Sequence, residues 1–237
     1  MRNKLLTFIL IINSFNLKSQ ENKITFGIQY KPIIPSEYFN SNYIEKTSGN
    51  YIFNLNPKYS NSFGMIIRHK INNTFSIESA LNYTQRNYNL TLENKTIKFK
   101  DFTSFGMRSY EIPLQLLTYV RVSESWYLNV AFGMSHNVLA SDIYSYGATE
   151  KYLQKTYRKD GGYRALLANI GVEYRTKKKR SYYIGTSLHR SWGEISRIYP
   201  EYNDGNNTFN DTNFENKFFL EMSGNFITID FRFFFSE

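Results

Sequence analysis

Ten side chains that could carry chemistry recur on the polar side of alternating segments: Arg68, Lys70, Glu78, Arg86, Glu111, Gln115, Glu173, Arg175, Asp230 and Arg232. If those segments wall one interior, opposite charges must pair there, because an unpaired buried charge costs several kcal/mol. The resulting interior charge network is either a structural plug or, as the sharper alternative, a path for protons or ions. Hydrolytic chemistry has one candidate, Ser187 with His189, and Glu194 or Glu221 as the orienting acid. Neighbours at i and i+2 on a strand lie ~7 Å apart, too far for a direct bond, so no catalytic residue is assigned and an enzyme is not expected. Oxygen ligands crowd the stretch from Glu201 to Glu215, but their spacing is not that of a calcium-binding EF-hand loop. It reads as a solvated loop, with no metal and no cofactor. Cysteine is absent, which removes thiol nucleophiles, disulfides and cysteine metal sites. Tyr144, Tyr146, Tyr152, Tyr157 and Arg158 form a loop-recognition group, tyrosine and arginine being favoured in recognition surfaces. An earlier loop holds Tyr38, Phe39, Tyr43 and Tyr51. Lys177, Lys178, Lys179 and Arg180 make a short basic turn suited to headgroups or a periplasmic partner.

Eight segments of strand periodicity position these residues. They run about 23–34, 62–71, 74–90, 108–120, 126–139, 163–175, 181–192 and 218–235. The last sets Ile227, Ile229, Phe231, Phe233 and Phe235 against Thr228, Asp230 and Arg232, and a one-residue bulge is expected near Gly224. The faces that carry His69 and His136 are apolar. Connections alternate in length: 35–61, 91–107, 140–162 and 193–217 are long, while 72–73, 121–125 and 176–180 are short. So many half-apolar strands, with no helix to cover them, are best satisfied by a closed barrel in lipid, greasy face outward. Pro113 conflicts with a continuous ladder, and its place near the outer rim would let a bulge or frayed pairing absorb it.

The chain opens with Arg2 and Lys4, then an eight-residue apolar core from Leu5 to Ile12 interrupted only by Thr7, then a more polar stretch to Ser19. This is the pattern of a secretory signal peptide over 1–19, leaving 20–237 as one barrel domain. No later stretch approaches the ~18 apolar residues of a membrane helix. Aromatics are 18% of the chain, with 20 Tyr and 20 Phe, as aromatic girdles require. The net charge is +9. It is scattered rather than striped, so nucleic acid is not an expected partner and anionic headgroups are.

Tyr110-Glu111-Ile112-Pro113-Leu114, followed by Trp126-Tyr127-Leu128 and Phe132-Gly133, resembles the pattern of the Bacteroidetes outer-membrane β-barrel family called PorT-like. That resemblance implies a signal peptide, a Gram-negative outer membrane and assembly by the barrel assembly machinery on a terminal aromatic signal, here Phe235 followed by Ser236 and Glu237. Some members are linked to gliding and type IX secretion. The expectation is an all-β fold, an eight-stranded antiparallel up-and-down transmembrane β-barrel with both termini in the periplasm. It would face lipid, present four long loops outside, meet an extracellular or periplasmic protein partner, and act structurally. The rivals are a transport or secretion-accessory barrel, a lipid-modifying enzyme at the rim, and a soluble lipocalin-like carrier.

Overall fold

The computed structural model describes residues 24–36, 43–149, 152–202 and 218–236, with the backbone alone for 152 and 202. The signal segment 1–19, Tyr38, Phe39 and most of the oxygen-rich loop lie outside the described residues. Within them, the chain forms fourteen strands and no helix. In chain order they are β1 (Ile24–Ile34), β2 (Ile44–Ser48), β3 (Tyr51–Pro57), β4 (Ser60–Lys70), β5 (Phe75–Asn94), β6 (Phe99–Arg121), β7 (Trp126–Leu139), β8 (Ile143–Tyr146), β9 (Tyr152–Arg158), β10 (Gly162–Arg175), β11 (Ser181–Ser191), β12 (Glu194–Tyr202), β13 (Leu220–Ser223) and β14 (Phe226–Phe234).

Eight of these strands close into an antiparallel ring in the order β1, β4, β5, β6, β7, β10, β11, β14 and back to β1. The ring is staggered. From Gln29, paired positions run one way through Gly64, Asn82 and Glu111 to Asn137. The other way they run through Arg232, Tyr183 and Glu173 to Tyr127. Both paths end on β7, ten residues apart. Eight strands with that stagger tilt about 40° from the ring axis, at a radius of roughly 8 Å. An interior of that width is filled by side chains.

The burial pattern is inverted relative to a water-soluble sheet. Phe26, Ile28, Phe63, Met65, Leu81, Leu114, Phe132, Ile170 and Ile184 point outward and are exposed, Phe132 by 62%. Thr25, Gln29, Glu78, Asn82, Glu111, Asn129, Glu173, Thr228 and Asp230 point inward and are buried. Aromatic rings form two exterior rows. Tyr30, Phe63, Tyr83 and Tyr110 occupy paired positions on β1, β4, β5 and β6. Trp126, Tyr174, Tyr182 and Phe233 do the same on β7, β10, β11 and β14. Trp126 and Val138, the β7 partner of Tyr110, are twelve residues apart on one strand, about 30 Å along the axis at this tilt.

At one end of the ring three tight turns join neighbouring strands. In the first, Asn72 Oδ1 accepts from the Thr74 and Phe75 amides, each at 2.8 Å. The others span 122–125 and 176–180, where Lys179 takes a left-handed φ of 59°, a conformation that costs a non-glycine residue roughly 1–2 kcal/mol.

At the other end the structure departs from the sequence reading. The stretch 91–107 is not a long loop: β5 continues to Asn94 and β6 begins at Phe99, so only 95–98 turns. The first, third and fourth long connections also contain strands. The pairs β2–β3 and β8–β9 lie within 35–61 and 140–162 and β12 within 193–217, while β13 occupies the start of the expected last strand. The reason is a second core. Phe53, Leu55, Leu90, Leu92, Phe105, Met107, Leu139, Ile195, Ile198, Leu220 and Met222 pack together above the ring, and burying that apolar surface offsets the cost of ordering the chain. The sheet β13–β12–β9–β8 forms one layer of this cap. The expected bulge at Gly224 is instead a change of sheet: β13 belongs to the cap and β14 to the ring, with inward parity kept from Leu220 to Arg232. The register shift falls on the neighbouring strand, between Glu194 and Ser196.

Pro113 sits well below the strand end, because β6 extends fourteen residues beyond it. It pairs with Ser135 on β7. Toward β5 the ladder lapses between the Ser79–Leu114 and Asn82–Glu111 pairs without changing register. There Ser79 Oγ donates to the Pro113 carbonyl at 2.9 Å.

Candidate functional site

The strands bring seven charged side chains into one unbroken chain through the lumen. Lys31 Nζ lies 3.7 Å from Asp230, which pairs with Arg232 Nη2 at 2.8 Å. Arg232 Nη1 reaches Glu78 at 2.7 Å, and Glu78 also receives Arg68 Nε at 2.6 Å. Arg68 Nη1 then meets Glu173 at 2.8 Å, and Glu173 closes on Arg175 at 2.6 Å. Carboxamides and hydroxyls fill the remaining acceptor positions: Asn129 donates to Glu173 at 3.0 Å, Asn169 to Asp230 at 3.2 Å and Ser187 to Asp230 at 2.6 Å. Aromatic faces cover the guanidiniums, with Arg68 over Phe234 at 3.8 Å and Arg175 over Tyr127 at 3.9 Å. Gly171 and Gly185 oppose each other across β10 and β11. A Cβ on either would collide with the Tyr183 hydroxyl, so this pair of glycines makes room for that ring to lie in the lumen.

Six of the ten side chains expected to face inward belong to this chain, namely Arg68, Glu78, Glu173, Arg175, Asp230 and Arg232, while Lys70 and Gln115 lie outside it. Glu111 and Arg86 stand apart. Glu111 accepts from Asn82 at 2.9 Å and faces His189 Nε2 at 3.5 Å. Arg86 is buried against Met107 Sδ at 3.2 Å and the Tyr163 and Phe226 rings. Lys31 was missed, although it is the next inward position on β1 after Thr25, Gly27 and Gln29.

The hydrolytic candidates are not brought together. Ser187 is bonded to Asp230, while His189 Nδ1 meets the Gly224 carbonyl at 2.8 Å. His189 Nε2 faces Ser135 Oγ at 3.4 Å and Glu111 at 3.5 Å. A nucleophile–base–acid relay needs the acid on the other ring nitrogen. Glu194 is held by Arg197 at 2.7 Å and Lys159 at 2.6 Å. Among the described residues, no three His, Asp or Glu side chains are grouped to hold a metal.

On the cap, Tyr144 and Tyr146 are exposed and Tyr157 more than one-third so. Tyr144, Tyr157, Tyr199 and Phe219 form a row of rings with centroids 5.9, 5.8 and 5.7 Å apart. The Tyr152 side chain is outside the described set. Arg158 is tied into the cap: its Nε meets Asp142 at 3.0 Å and its Nη1 donates to the Leu139 carbonyl at 3.0 Å. The Arg158 amide and guanidinium hold the Asp142 carboxyl below the usual range for aspartate. Arg197 and Lys159 do the same for Glu194.

The fold so far defines an all-β chain whose eight-stranded ring is apolar outside and charged within. No family model matches the chain, and no curated protein does. Among solved structures it is similar to an outer membrane channel from Pseudomonas putida F1, at 10% identity and a TM-score of 0.30, over 93% of this chain and 97% of that one. A likeness at this level carries no functional information.

Proposed function

We propose that this protein is an eight-stranded transmembrane β-barrel of a Gram-negative outer membrane. Its lumen is closed by ion pairs, and its cap stands outside the cell as a non-enzymatic interaction surface. The observation that carries the reading is the inversion of burial, since only a lipid environment stabilises a closed ring with Phe132, Leu114 and Met65 outward and Glu173, Asp230 and Arg232 inward. The two aromatic rows suit the two interfaces of such a membrane. The three tight turns and both termini then face the periplasm, and the Tyr144–Phe219 row faces outward. The PorT-like resemblance belongs to the same proposal and rests on the residues around Pro113.

Gel mobility before and after boiling tests the barrel, combined with fractionation. A folded barrel migrates differently until boiled and requires detergent for release. Recovery in the soluble periplasmic fraction, with no mobility shift, would sink the proposal in favour of a soluble carrier. Planar-bilayer recording separates the closed lumen from the transport reading: stable single-channel steps would refute closure.

A further inference from the structure

The turn end of the ring opens into a polar pocket of about 240 Å³ whose cationic lining is Arg68, Lys70, Arg175 and Lys179. No acidic side chain lines it. The two nearest carboxylates in the ion-pair chain, Glu78 and Glu173, lie deeper and are already bonded to Arg68 and Arg175. Glu78 also serves Arg232, and neither Lys70 nor Lys179 has a described counter-ion. One buried donor in the wall is also unsatisfied. Arg68 is 6% exposed, and with its Nε and Nη1 committed to Glu78 and Glu173, its Nη2 has no partner. Tyr119 is 7% exposed, and its hydroxyl lies beside Ser76 in the same wall. A buried guanidinium corner left unpaired beside an open polar pocket is costly unless an acceptor arrives.

We propose that this pocket is an oxyanion site for a phosphate group. Arg68 Nη2 and Tyr119 Oη donate at its floor, and Lys70 and Lys179 close over the charge at the rim. Stacking on Phe234 keeps the Arg68 plane fixed, and its two ion pairs keep it charged, so the donor is oriented before the ligand enters. The phosphate is supplied either by an anionic lipid headgroup in the adjoining leaflet or by a soluble phosphate. The site does not depend on the function of the cap.

Full-length protein, refolded in zwitterionic detergent at low ionic strength, would be titrated calorimetrically with inorganic phosphate and, separately, with a short-chain phosphatidic acid. Phosphatidylcholine of the same chain length is the control. One saturable site is expected. It should be weakened about tenfold in Lys70→Gln/Lys179→Gln, since each lysine contributes as a surface ion pair. It should also be weakened in Tyr119→Phe and unchanged in Lys98→Gln, in the turn at the opposite end. Tighter binding of phosphatidic acid than of phosphate assigns the occupant to a lipid headgroup; equal binding assigns it to the soluble anion. Gel mobility confirms the folding of each variant, and Lys179→Gln alone, in an exposed turn, replaces the double variant if that does not fold. Absence of saturable binding by either anion to the folded protein, or unaltered affinity in the lysine variant, would overturn the assignment.

Discussion

Glu78 is the middle link of the lumen chain, and Glu78→Gln tests whether that chain stabilises the ring. Its carboxylate is buried and accepts charged hydrogen bonds from Arg68 at 2.6 Å and Arg232 at 2.7 Å. The amide keeps the volume but removes the charge and one acceptor. Arg68 then retains only Glu173, and Arg232 only Asp230. Breaking a buried pair by neutralising one partner costs about 3–5 kcal/mol, because the other charge stays desolvated. Two hydrogen bonds to charged groups, at roughly 1.5–3 kcal/mol each, give about 3–6 kcal/mol, an overlapping range. The matched control is Glu93→Gln, whose partner Lys100 is 67% exposed; a pair of that kind is worth about 0–1 kcal/mol. Urea unfolding in lipid vesicles, read by the fluorescence of Trp126 and Trp192, measures both. Equal small losses for the two variants would refute the claim that the buried ion pairs of the lumen depend on one another.

Other perturbations separate the remaining parts of the argument. Phe132→Arg on the exposed apolar face should cost about 2–4 kcal/mol in vesicles if the face meets the bilayer midplane, and a soluble-like tolerance would count against the membrane assignment. Gly185→Ala should cost about 1–3 kcal/mol as an overpacking change, and Tyr183→Phe in the same chain should recover part of that loss; no recovery would mean that the hydroxyl is not the obstacle. The carboxyl carbons of Asp142 and Glu194 should titrate below the ordinary values of about 3.9 and 4.3. Because both folded values are depressed, their stabilisation of the cap is present above those ordinary values and is lost as pH falls through the folded ones. Carbon NMR measures the midpoints, and that of Asp142 should rise toward the ordinary value in Arg158→Gln; a midpoint unmoved by the loss of Arg158 would contradict the contact.

The wall was legible because its signal is local. Alternation assigns each residue to a face by parity alone, which is why Arg68, Glu111 and Arg232 could be placed inward without a structure. The cap was not legible by the same rule. Leu90, Leu92, Phe105 and Met107 continue the inward parity of β5 and β6 but change its chemistry from polar to apolar. Read along one strand, that change looks like the end of the ring strand. It becomes a core only when Phe53, Ile198 and Leu220 arrive from distant connections to cover it.

The partners within the lumen were hidden for a different reason. Arg68 pairs with Glu78 on the adjacent strand, a contact that parity and a tight turn suffice to suggest. Its second partner, Glu173, lies on β10, four strands away from β4 around the ring. Those two meet because a ring of eight strands is narrow enough for long side chains to cross it, and because a ten-residue stagger sets their heights. Closure and stagger are properties of all eight pairings together, so no single segment encodes them. The same holds for the phosphate pocket. Its cations come from β4, β10 and a turn, and Tyr119 comes from β6. Arg68 lies at its wall with one corner free because Glu78 and Glu173 approach from only two sides.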